Sequence, residues 1–119
     1  TLEDGLYVLE ENLSDAAFVD KMARFVAASM KGWEWARNHQ QEAAEIVLEN
    51  DMTGAQTEKH QVRMMGEINK LTAGSNGKLN VADYERTVQT LLSGGSDPVI
   101  SMAPSGAWTH DVWNKANGM

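Results

Sequence analysis

Apolar positions recur at helical spacing through residues 14–50, SDAAFVDKMARFVAASMKGWEWARNHQQEAAEIVLEN. At 3.6 residues per turn, Phe18, Val19, Met22, Phe25, Val26, Ser29, Trp33 and Ala36 fall on one side, and Asp20, Arg24, Ala27, Lys31 and Glu34 fall opposite. This pattern predicts a long amphipathic helix with a committed core face. Ser14 stands just before the run, where its hydroxyl can accept from an orphan amide of the first turn. Asp15 then places negative charge at the positive end of the helix dipole.

The same periodicity predicts four more helices. Residues 41–50 carry Ala43, Ile46 and Val47 on one face, with Glu42, Glu45 and Glu49 elsewhere, and residues 51–54 form a turn. Helical spacing resumes over 57–71 through Gln61, Met64, Met65, Ile68 and Leu71, where methionine suits gap-filling in a core. After a Gly/Ser/Asn-rich loop at 72–77, Asn80 caps a helix striped by Val81, Tyr84, Val88, Leu91 and Leu92, and Ser93-Gly94-Gly95-Ser96 ends it. A last helix is predicted over 107–117, with Trp108, Val112 and Trp113 as its apolar residues. Trp108 and Trp113 are placed to pin it to the body of the fold.

One stretch departs from this pattern. Leu6, Tyr7, Val8 and Leu9 make an apolar run too short for a stable helix and suited to a strand. A lone strand cannot satisfy its own backbone, and the other candidate is residues 98–102. The fold class expected for the chain is therefore mainly α, about five helices plus one short N-terminal strand. Its open edge predicts pairing or swapping through Leu6, Tyr7, Val8 and Leu9.

A smaller feature of the first helix points beyond its core face. Ala28 and Gly32 lie one turn apart on the helix flank with Trp35 beside them. A glycine inside a helix costs about 1 kcal/mol relative to alanine, and close approach of another element gives it a reason to be there. Ala28, Gly32 and Trp35 are the candidate interface, on a helix packed from two sides.

Composition narrows the function more than it defines it. The 119 residues suit a single domain or segment spanning 1–119, and a hydrophobic content of 42% supports an ordinary core. A net charge of −7, without any Lys/Arg cluster, argues against nucleic acid as a partner. The absence of cysteine removes disulfides and thiol chemistry and leaves the compartment open. No run reaches the length of about 18 apolar residues that a membrane span needs, and the sequence from Thr1 carries no apolar signal segment.

Candidate chemistry is sparse. Residues 72–83, TAGSNGKLNVAD, imitate a calcium loop, with Gly77 at the sharp turn, Leu79 at the apolar position and Asp83 at the end. Thr72 and Gly74 at the first and third positions supply too few oxygens, so an ordinary helix-loop-helix connection is expected. His39, His60 and His110 lie far apart in sequence and in no zinc-binding spacing. His110 and Asp111, with Ser101 and Ser105 nearby, suggest a triad only on paper, because adjacent helical residues point about 100° apart. Of the four tryptophans, Trp33 reads as core and Trp35 as interface. No catalytic residue, metal ligand or cofactor is expected, and the chain reads as no enzyme.

The run FVAASMKGWEWARNHQQEAAEIVLEND resembles the C-terminal part of the solute-binding proteins of ABC importers, in the group that takes nitrate, sulfonates, taurine, riboflavin and thiamine-pyrimidine precursors. Phe25, Ala28, Gly32, Trp33, Ala36, Glu42, Ala43 and Ala44 stand at positions matching the family pattern, and Gln40 departs from it where proline is frequent. The resemblance extends to Leu6–Leu9 as the preceding strand, to residues 77–92 as the loop and helix, and to 107–116 as the terminal helix. It implies that the chain is the C-terminal portion of a two-lobed α/β periplasmic-binding-protein fold whose lobes are mostly absent from it. It further implies capture of a small-molecule solute and delivery to a membrane permease without chemical change, in the periplasm or on a lipid anchor. The solute and the ligand-contacting residues cannot be carried over. The alternative is a self-contained helical protein-interaction domain using the Ala28-Gly32-Trp35 flank. A strand buried inside a closed helical bundle would favour the alternative.

Overall fold

The computed structural model describes residues 5–119, so residues 1–4 of the expected segment lie outside the described residues. It is mainly helical: α1 Ala16–Asn38, α2 Gln40–Glu49, α3 Glu58–Leu71, α4 Val81–Leu92 and α5 Asp111–Ala116, preceded by a 3₁₀ turn at Glu10–Ser14. No β-strand occurs among the described residues, which corrects the expected N-terminal strand. Residues 6–9 find no ladder to join, because residues 98–102 are irregular as well. Their side chains stay in solvent, with Tyr7 88% exposed.

α1 starts one residue later than the sequence suggests. Ser14 is drawn into the 3₁₀ turn, where its hydroxyl donates to the Glu11 carbonyl (2.7 Å). Asp15, with extended backbone (φ −90°, ψ 111°), takes over as cap and accepts the Ala17 N–H (2.9 Å). Most of the expected stripe is half-buried, at Phe18, Val19, Met22, Val26, Ser29 and Ala36, with Ala23 buried beside it, while Phe25 and Trp33 are exposed. The covered face of α1 therefore follows the expected spacing except at these two aromatic residues.

The chain divides into two compact units. In the unit Phe25–Asn76, α2 packs against α3. The buried residues of α2 are Ala43 and Ala44, the latter with no exposed surface, so the covered side of α2 presents side chains of one carbon. Gln41 donates to the Glu58 carboxylate (2.7 Å), and the Arg37 guanidinium reaches the Thr72 carbonyl and hydroxyl (both 3.5 Å). The Thr57 hydroxyl caps α3 by accepting from His60 N–H (3.3 Å). Between α2 and α3 the Asp51 carboxylate accepts from the Thr53 hydroxyl (2.6 Å), the Thr53 N–H (2.9 Å) and the Gln56 N–H (2.9 Å). These bonds, the hydroxyl first, hold its carboxyl below the ordinary aspartate value.

The other unit joins the chain up to Arg24 with Gly77–Met119. As predicted, Asn80 caps α4, accepting the Asp83 N–H (3.1 Å), and α4 turns its apolar stripe inward with Val88 buried. The return after α4 is tight: a Cβ on Gly94 would stand 2.6 Å from Pro98 Cα, which reserves that position for glycine. The following loop carries Trp108 to the ring edge of Tyr84 (6.4 Å between centroids). α5 is shorter than the expected 107–117. It begins at Asp111, whose N–H donates to the Thr109 hydroxyl (3.1 Å), while Trp108 is used as a packing residue of the loop. Lys115 of α5 pairs with Asp20 of α1, and Lys78 stands over the Trp113 ring (4.8 Å).

Candidate functional site

Spacing and exposure together define a ridge on α1. Phe25, Ala28, Gly32 and Trp35 follow one another at steps of three, four and three residues and so share one helix face. All four are exposed, Phe25 at 51% and Trp35 at 41%. A Cβ built on Gly32 meets no atom within 4 Å. Nothing in the described chain therefore requires glycine there, and the ridge is two aromatic side chains flanking a gap where the helix backbone is bare.

Trp35 is pre-positioned. The His39 ring stacks on its indole at 4.7 Å and 7° from parallel, and the His39 Nδ1–H donates to the Trp35 carbonyl (2.8 Å). That bond places the His39 proton on Nδ1 and fixes the ring plane. Trp33, expected in the core, is 47% exposed and points away from the ridge by its spacing. Phe25 is the member that the sequence reading assigned to the core face. Its seven-residue step to Gly32 was the signal that could have placed it with the flank.

The remaining candidates are occupied otherwise. In the calcium-like loop, Gly77 makes the sharp turn with a φ of 80°, but the Thr72 hydroxyl donates to the Ile68 carbonyl (2.9 Å) and Asp83 pairs with Arg86. His110 donates from Nε2 to the Leu79 carbonyl (3.0 Å), with Trp108 tilted against it at 4.7 Å. Among the described residues no three His, Cys, Asp or Glu side chains converge as a metal site, and no helix is long and apolar enough to cross a membrane. A shallow depression lined by Leu9, Glu10 and Glu11 offers two carboxylates without enclosure. The apolar ridge is thus the feature with the clearest means of recognising something.

No protein-family model matches the chain, and no curated protein or solved structure matches it.

Proposed function

We propose that the chain acts as the C-terminal helical segment of an ABC-importer solute-binding protein of the nitrate, sulfonate, taurine and thiamine-precursor type, bracing a two-lobed α/β fold that captures a small molecule and passes it to a membrane permease. The observation that carries this reading is the open Gly32 between exposed Phe25 and Trp35. A bare backbone gap bordered by aromatic rings is shaped for close approach by another element, and the lobe that the resemblance implies is of that kind. The uncovered side chains of Leu6, Tyr7, Val8 and Leu9 support the same conclusion, since a sheet would receive them.

On this reading the solute pocket is built by other parts of the protein, and the location is periplasmic or lipid-anchored. The test is calorimetric titration of the 119-residue chain and of the chain extended by its upstream sequence, using nitrate, taurine, an alkanesulfonate and an aminopyrimidine. The extended protein is expected to bind one of these and the shorter chain none. Micromolar binding to the shorter chain, or an upstream sequence lacking the roughly 200 residues of alternating strands and helices that two lobes require, would overturn the proposal.

A second reading is favoured by one specific observation, the His39-Trp35 stack. An exposed tryptophan already fixed in one orientation is what a protein-binding hot spot needs, and it fits a self-contained helical interaction domain. The upstream sequence separates the two, because only the first reading requires the lobes.

A further inference from the structure

We infer that Asn117-Gly118, at the C-terminal cap of α5, is a latent succinimide-forming site that the docked helix keeps silent, so that its conversion records the opening of α5. This does not rest on the transport reading. In an Asn-Gly pair the glycine amide nitrogen is unhindered and can attack the preceding side-chain amide. The Gly118 N to Asn117 Cγ bond forms, the Cγ–Nδ2 bond breaks, and Nδ2 leaves as ammonia with the proton from the Gly118 amide. Water then opens the imide at one carbonyl to leave aspartate, or at the other to leave isoaspartate.

The folded geometry opposes every part of this step. Asn117 has φ −106° and ψ 12°, which turns the Gly118 nitrogen away from the Asn117 side chain. The Asn117 side-chain amide is drawn the other way, donating to the Trp113 carbonyl (2.8 Å). The Gly118 N–H donates to the Lys115 carbonyl (3.2 Å), and the Met119 N–H to the Asn114 carbonyl (2.9 Å). Cyclisation requires these bonds to open together, which means unwinding the end of α5.

That unwinding is accessible because α5 is held lightly. It has six residues and none is buried, and its ion pair to Asp20 joins two side chains that are about half exposed. Conversion is also self-locking. A carboxylate at position 117 cannot donate to the Trp113 carbonyl and sets negative charge against the negative end of the helix dipole, so α5 does not re-form its cap.

The test incubates the 119-residue chain at mildly alkaline pH, with and without urea, and follows isoaspartate by methyltransferase labelling and fragment-resolved mass spectrometry that separates Asn117 from Asn76. Asn117 is expected to convert at least about tenfold more slowly without urea, equivalent to about 1.4 kcal/mol of opening. Lys115→Gln, which removes the pair to Asp20, is expected to raise the rate without urea several-fold. Equal rates in the two solvents, an unchanged rate in Lys115→Gln, or no conversion of Asn117 in urea would overturn the inference.

Discussion

The imidazole of His39 lies flat on the indole of Trp35, one helical turn away across the junction of α1 and α2, while its Nδ1–H closes on the Trp35 carbonyl. One side chain therefore both bonds a carbonyl of the last turn of α1 and packs flat on an aromatic member of its exposed ridge. Replacing it tests both tasks. His39→Ala is expected to cost about 1 kcal/mol, from a lost ring contact and a lost hydrogen bond at an exposed site. His39→Phe keeps the stack and is expected to recover part of that loss, as read from urea unfolding midpoints.

Gly32 gives a prediction whose sign depends on what covers it. In the 119-residue chain a methyl group there meets nothing within 4 Å, so Gly32→Ala is expected to stabilise α1 by about 1 kcal/mol. In the longer protein the proposed function predicts the reverse, because an approaching element would meet the new Cβ. Thermal unfolding of both forms with and without the substitution checks it.

The covered side of α2 is expected to reject bulk. Ala44 has no exposed surface, and Ala44→Leu is expected to destabilise by about 1–3 kcal/mol through overpacking. Ala43, 6% exposed on the same helix, is expected to behave alike, and urea titration of helical circular dichroism is the measurement.

Gly94→Ala forces a methyl group to 2.6 Å from Pro98 Cα, a clash with backbone that no side-chain rotation relieves. A loss of about 1–3 kcal/mol is expected. Gly95→Ala, where the cost is a φ of 65° with open space around the Cβ, is expected to lose about 1 kcal/mol.

The Asp51 turn predicts an acid limit. Its carboxyl is lowered in the folded chain from an ordinary value of 3.8, chiefly by the Thr53 hydroxyl and then by the Gln56 and Thr53 amides. A lowered folded value means that the contribution is fully present above 3.8 and is lost as pH falls through the folded value. Asp51→Asn is expected to remove that part of the pH dependence below 3.8, measured as the acid titration of helical circular dichroism.

How far the fold was legible follows from where each signal resides. α4 was readable because its cap is local, Asn80 accepting an amide three residues on, and α3 was readable from its spacing, with Thr57 at the edge of the run serving as the cap. The start of α1 was displaced because Ser14 and Asp15 compete for one task, and a 3₁₀ turn that the sequence does not announce claimed Ser14. The strand at residues 6–9 failed for a non-local reason, since a ladder needs a second strand and the described residues hold none. The ridge was half legible. Ala28, Gly32 and Trp35 were named from their spacing, but Phe25 was given to the core, because a helical wheel cannot say which of two apolar faces the rest of the chain will cover.

Residues 6–9 have one more consequence, for the lifetime of the chain. A peptide bond is cut when it can lie open in a protease cleft, and elsewhere among the described helices that first requires unwinding. Around Tyr7, 88% exposed and outside regular structure, nothing has to unwind. An aromatic-directed protease could therefore cut at Tyr7 without opening any of the five helices, and an element laid over Tyr7 would also shield this stretch from cleavage.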